Sequence, residues 1–209
     1  MPQAKFRAAR KTRIQTLNEE LIVDAALAVF SAHGFRGSTV DQIAAKCGLS
    51  KPNLLYYFRR KEDIYVAVLE RTLADWLEPL RKLDAAGDPL AELARYIGAK
   101  LRLSRERPEA SRLFANEILH GAPAIAKFLK GPLKELVEEK AAIIAAWIAR
   151  GLIAPVDPHH LIFAIWATTQ HYADFDVQVR AVLGERYDPE AAEKTLLTLF
   201  MNGLRVRQM

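Results

Sequence analysis

The chain has 209 residues, 51% of them apolar, one cysteine and a formal net charge of +5. That is enough chain for a sizeable core in one large or two modest domains. The lone Cys47 excludes an internal disulfide framework and any multi-cysteine zinc site, no secretory leader is visible, and the longest apolar runs, Leu161 to Thr169 and Ala141 to Ile148, fall short of the roughly 20 residues that span a bilayer. A soluble protein of a reducing, cytoplasmic setting, without contact to a membrane, is expected.

The charge is uneven. Residues 1 to 60 carry ten Lys or Arg against four acids, and residues 61 to 209 carry twenty against twenty-one, so the excess is N-terminal. Lys5, Arg7, Arg10, Lys11 and Arg13 precede the first acid, Glu19. Residues 1–16 therefore read as a basic arm attracted to phosphates, although a solvated leader has the same composition.

Helical periodicity dominates the rest of the chain, and no stretch alternates as a strand does, so the fold class is all-α, with about nine helices. Leu17, Leu21, Ile22, Ala25, Ala26, Val29 and Phe30 form one stripe at helical spacing, with Gly34 as its stop. Ser38 or Thr39 caps the next helix, and Gln42 completes a capping box with Thr39. Gly48 permits a sharp turn, Ser50 caps again, and Pro52 falls in a first helical turn, where its missing N–H costs nothing.

In this third helix Leu54, Leu55 and Phe58 point one way, leaving Asn53, Tyr56, Tyr57 and Arg60 on the other side. Two short helices at a tight turn, an outward aromatic and polar face and a basic arm together predict a helix-turn-helix over residues 17–61. Thr39, Ser50, Lys51, Asn53, Tyr56, Tyr57 and Lys61 are its expected DNA contacts, Ser50, Lys51 and Asn53 nearest the bases and the tyrosines and Lys61 on phosphate or sugar.

Residues 62–209 form the larger helical domain, which is expected to bind a ligand. A long helix opens at Lys61-Glu62-Asp63 and runs towards Leu80; others begin at Asp88-Pro89, Arg107-Pro108, Gly131-Pro132, Asp157-Pro158 and Asp188-Pro189, and the Asp157-Pro158 helix is expected to reach about Leu183. On that helix Trp166 and Gln170, four apart, share a face, and an indole and a carboxamide suit a flat ring bearing adjacent donors and acceptors. Trp166, Gln170 and Trp76, the one tryptophan of the connecting helix, are the candidate ligand residues, with Asn116 and, more weakly, Glu117 and His120 beside them. Ordinary core packing is the competing reading for both tryptophans, and a satisfied buried amide for Gln170.

The segment "TVDQIAAKCGLSKPNLLYYFRRKEDIYVAVL" resembles the DNA-binding signature of the TetR family of repressors, and "NLLYYF", "ASRLF", "HGAP" and "LIAPVDPHHLIFAIWATTQHYADF" resemble its pyrimidine-utilisation regulators. The resemblance runs from about Thr16 to the last helix. It implies a homodimeric repressor on palindromic double-stranded DNA, a four-helix interface built from two C-terminal helices of each subunit, and a pyrimidine such as uracil as effector. Arg59-Arg60 stands where many family members carry Pro-Ser, which leaves the operator sequence open.

Other functions fit less well. A regulator answering to an unrelated small apolar or aromatic ligand is the nearest alternative, with a helical adaptor or an enzyme behind it. The chain lacks a Gly-rich phosphate loop, a His-Glu-x-x-His motif and a nucleophile elbow, and adjacent His159 and His160 make a poor metal pair. No catalytic residue, metal or cofactor is expected.

Overall fold

The computed structural model describes residues 13–206, and all regular structure among them is helical. Residue contacts divide the chain into Met1–Val68 and Leu69–Met209. Lys5, Arg7, Arg10 and Lys11 of the expected basic arm lie outside the described residues.

The first unit begins with α1 (Arg13–Gly37), α2 (Val40–Lys46) and α3 (Lys51–Tyr57). Helix α1 starts at Arg13, so Arg13 to Thr16, expected in the arm, are helical. Its stripe packs from Ile22 onward; Leu17 and Leu21, placed inward by periodicity, are exposed. Regular helix ends at Gly34, whose φ of +68° only glycine adopts freely. Ser38 turns back onto that end, its hydroxyl donating to the Gly34 carbonyl at 2.6 Å, which leaves Thr39 as the cap of α2. Both halves of the capping box form: the Gln42 N–H donates to Thr39 Oγ1 at 3.2 Å, and the Thr39 N–H to Gln42 Oε1 at 2.8 Å. The turn between α2 and α3 passes through Gly48, at φ +71°. Ile22, Ala26, Phe30, Ile43, Leu54 and Ile64 close the small core, with the Phe30 and Tyr65 rings edge to face at 5.2 Å.

Helix α4 (Lys61–Arg81) spans the boundary between the units along the chain. The second unit continues with α5 (Pro89–Glu106), α6 (Pro108–Leu119), the short α7 (Ala126–Phe128), α8 (Lys134–Ala149), α9 (Pro158–Asp174), α10 (Asp176–Leu183) and α11 (Pro189–Leu204). The Asp-Pro pairs act as expected: Asp88, Asp157 and Asp188 each accept a backbone N–H of the next turn, while proline takes the position that needs no donor. The backbone hydrogen bond from His160 holds the Asp157 carboxyl below the usual carboxylate range.

Two expectations fail here. Gly131-Pro132 does not open a helix; it lies inside a single π-turn, Leu129–Leu133, that leads directly into α8. The helix expected from Asp157-Pro158 to Leu183 breaks at Phe175, which leaves helical geometry (φ −114°, ψ 30°) and divides it into α9 and α10. The core of this unit joins Leu80, Leu93, Tyr96, Ile97, Ile144, Trp147, Ile162 and Ile165, with α5 packed along α9.

Candidate DNA interface and effector site

In the first unit, Thr39, Ser50, Lys51, Asn53 and Tyr56 lie together at the exposed ends and outer face of α2 and α3, and Tyr56 is 70% exposed. The two caps place Thr39 and Ser50 at successive helix starts; the Asn53 N–H donates to Ser50 Oγ at 3.4 Å. Lys51 Nζ stands 2.9 Å from Asp41. Both are exposed, and such a pair is worth about 0–1 kcal/mol, so a phosphate can displace the carboxylate at little cost.

Tyr57 and Lys61 differ from this group because both are engaged inside the unit. The Tyr57 hydroxyl accepts from Asn18 Nδ2 at 2.6 Å and ties α3 to α1. The Lys61 ammonium donates to the carbonyls of Phe35, at 2.7 Å, and Ser38, at 2.8 Å, and lies 4.4 Å from the Phe35 ring centre. It closes the end of α1, where helix carbonyls lack partners.

In the second unit a polar layer interrupts the core between α5 and α9. At one end Trp166 Nε1 donates to the Tyr96 hydroxyl at 2.5 Å, and burial raises the phenol above its ordinary range. One turn further along α5, Lys100 is 3% exposed, with its ammonium 4.7 Å from the Trp76 ring centre. Trp76, itself buried, meets Phe114 edge to face at 5.4 Å. Opposite, Asp174 of α9 accepts a hydrogen bond from the Ser111 hydroxyl of α6. Burial raises the Asp174 carboxyl, against the opposing effects of Ser111, Lys100, Arg112 and His171; burial lowers Lys100 to about 7, against the attraction of Asp174.

Trp76, Trp166 and Gln170 thus belong to one layer. Gln170 lies on α9 midway between Trp166 and Asp174, half-buried, and no hydrogen bond to its carboxamide forms among the described residues. Asn116 does not join them: it is exposed, while Ser111 and Glu117 of the same helix are buried. Glu117 serves the loop after α6, accepting the Ala124 N–H at 2.7 Å, and His120 caps its own helix end on the Asn116 carbonyl. Lys100, Asp174 and Ser111 are the residues that sequence reasoning missed. Beside the layer, a cavity of about 260 Å³ opens among Ser104, Arg105, Arg112, Thr169, Tyr172 and Tyr187, the two tyrosine rings stacked at 6.0 Å.

Among the described residues no three His, Cys, Asp or Glu side chains are arranged to hold a metal ion, and no helix is long and apolar enough to cross a membrane. His159 instead stands 3.1 Å from Glu138.

Residues 22–68 match the family model described as bacterial regulatory proteins, tetR family, and residues 69–207 that of the YcdC-like protein C-terminal region. The chain is 50% identical over 175 residues to the HTH-type transcriptional regulator RutR of Escherichia coli K12, covering 84% of this chain and 82% of that one. It is 32% identical over 135 residues to the HTH-type transcriptional repressor NicS of Pseudomonas putida, covering 63% of each. A TetR-like transcriptional regulator from Rhodococcus sp. RHA1 shares the fold with a TM-score of 0.67, at 24% identity over 93% of this chain and 98% of that one. The chain belongs to the TetR family of DNA-binding, effector-responsive transcriptional regulators, which act as dimers and are not enzymes.

Proposed function

We propose that this regulator is a repressor of pyrimidine or nitrogen metabolism genes, released from a palindromic operator by a pyrimidine such as uracil. The observation that carries the reading is the Gln170 carboxamide, half-buried and without a hydrogen-bonding partner among the described residues, on the same face as Trp166 and Asp174. Its adjacent donor and acceptor match the imide edge of uracil, and an indole suits the ring face. The 50% identity to RutR, which extends through both halves of the chain, supports it.

Residues 17–61 serve as the DNA-binding domain and residues 62–209 as the effector and dimerisation domain. Thr39, Ser50, Lys51, Asn53 and Tyr56 meet DNA; exposed Phe163 of α9 and Leu199 of α11 supply apolar surface for the dimer. The switch is a population shift. Trp76 lies on α4, the helix that both units share along the chain, so a ligand that prefers one placement of Trp76 biases α4 and hence the spacing of the two recognition helices against half-sites about 34 Å apart. A tenfold loss of operator occupancy needs a coupling of only about 1.4 kcal/mol.

Titration calorimetry with uracil, on the wild type and Gln170→Ala, tests this: heat with the first and at least tenfold weaker binding by the second are expected, and no heat with the wild type overturns the pyrimidine assignment. The cavity with Arg105, Arg112 and the stacked tyrosines favours a second reading, an acidic aromatic effector. Binding of benzoate in place of uracil would select it.

A further inference from the structure

We propose that Lys100 reads the effector: its ammonium donates to a carbonyl oxygen of a planar imide held in the polar layer beside Trp76, and Asp174 accepts the neighbouring ligand N–H. The proposal rests on the effector-responsive reading above and adds the residue and the ligand chemistry.

A buried lysine is ordinarily paired or hydrogen-bonded, because an unpartnered charge costs several kcal/mol to hold out of water. The other buried lysine among the described residues obeys the rule: the Lys140 ammonium stands 2.9 Å from Glu139 and donates to the Leu83 carbonyl at 3.5 Å. Lys100 does not. Among the described residues its ammonium makes no hydrogen bond or ion pair; it rests on the Trp76 ring, and the nearby Asp174 carboxylate is held by the Ser111 hydroxyl. A ring face satisfies the charge in one direction and leaves N–H donors pointing elsewhere. The layer therefore holds an unused donor at Lys100, an unused donor and acceptor at Gln170, and a carboxylate with acceptor capacity left at Asp174.

A cyclic imide presents carbonyl, N–H and carbonyl along one edge, the complement of that set. A carboxylate ligand would satisfy Lys100 but meet Asp174 with like charge. Among the described residues Asp174 is the charged group that acts on Lys100, and it favours the protonated amine, whereas burial opposes it. An acceptor oxygen delivered by the ligand adds to the side of Asp174, so imide uptake draws a proton onto Lys100 near neutral pH and above.

The test uses the full-length dimer, Lys100→Met, Lys100→Gln and, as a control, Lys140→Met. Uracil affinity is read by calorimetry in two buffers of different ionisation enthalpy, and Tm is read without ligand. Removing a hydrogen bond from a charged donor costs roughly ten- to a hundredfold in affinity. Both Lys100 variants are expected to lose that much and to lose the buffer-dependent proton uptake, with Tm unchanged or higher because an uncompensated charge is gone. Lys140→Met should lower Tm and leave uracil affinity alone. Uracil binding within about threefold of wild type in either Lys100 variant overturns the proposal, as does failure of both variants to fold. If the wild type ignores uracil, the pyrimidine reading falls, and a thermal-shift panel of thymine, xanthine and benzoate decides Lys100 separately. A shift by thymine or xanthine that is absent in the variants sustains it; a shift by benzoate alone, or by none, overturns it.

Discussion

Lys61 holds Phe35 twice, by a hydrogen bond to its carbonyl at 2.7 Å and by its ammonium 4.4 Å from the ring centre. The same nitrogen reaches the Ser38 carbonyl, so one side chain fastens the start of α4 to the end of α1. A lysine spent this way is a clasp. Lys61→Met is expected to destabilise the protein by about 1–3 kcal/mol, the cost of hydrogen bonds made by a charged group. It should leave the salt dependence of DNA binding unchanged, whereas a phosphate contact would lower the slope by about one. Urea unfolding with DNA titrations at several salt concentrations separates the two roles.

The adjacent tyrosines of α3 divide along similar lines. Tyr57 accepts from Asn18 at 2.6 Å, while Tyr56 is 70% exposed and its hydroxyl meets Gln15 at 3.5 Å. Tyr57→Phe is expected to lower stability by about 1 kcal/mol and to affect DNA only through the fold. Tyr56→Phe should leave stability unchanged and weaken operator binding by about 0.5–1.5 kcal/mol, read by fluorescence anisotropy. Equal stability losses in both variants would contradict this division.

The helix-turn-helix was legible because its determinants are local. A cap, a capping box, a turn glycine and a first-turn proline each act within a few residues, and Thr39, Gln42, Gly48, Ser50 and Pro52 all take the places their chemistry suggests. The polar layer was legible only in part. Trp166 and Gln170 show their shared face by spacing, but Lys100 stands in "GAKLRLSRE" as any solvated lysine would; its burial depends on Trp76 and Asp174, distant in sequence and brought to it by tertiary packing. The break at Phe175 left no signal either, because neither glycine nor proline marks it and the apolar periodicity continues into α10. The roles of Tyr57 and Lys61 were hidden for the same reason as Lys100: their partners lie on α1 and at its end.

The Trp166 to Tyr96 hydrogen bond is asymmetric in burial, and that asymmetry has a measurable effect. Tyr96 is 1% exposed while Trp166 is half-buried. Trp166→Phe strands a buried hydroxyl in addition to shrinking the side chain, and is expected to cost about 2–4 kcal/mol. Tyr96→Phe leaves the N–H of a half-buried indole without its acceptor and should cost less, about 1 kcal/mol. In the double variant the stranded hydroxyl is absent, so its loss should fall short of the sum of the two. Additive losses in urea unfolding would mean that the hydrogen bond contributes nothing to folding.

Burial of Lys100 also makes a prediction about pH. Its folded pKa lies near 7, well below the 10.5 of the free side chain, so between those values the unfolded chain binds a proton that the folded one releases. Stability then rises with pH through that window, and below it both states are protonated and the folded state carries the full cost of the buried charge. Urea unfolding at pH 6.5 and 9 is expected to show the gap between Lys100→Met and wild type narrowing as pH rises, with the variant the more stable at the lower pH. A gap that is constant across the range would mean that the ammonium is as well solvated in the fold as in the open chain.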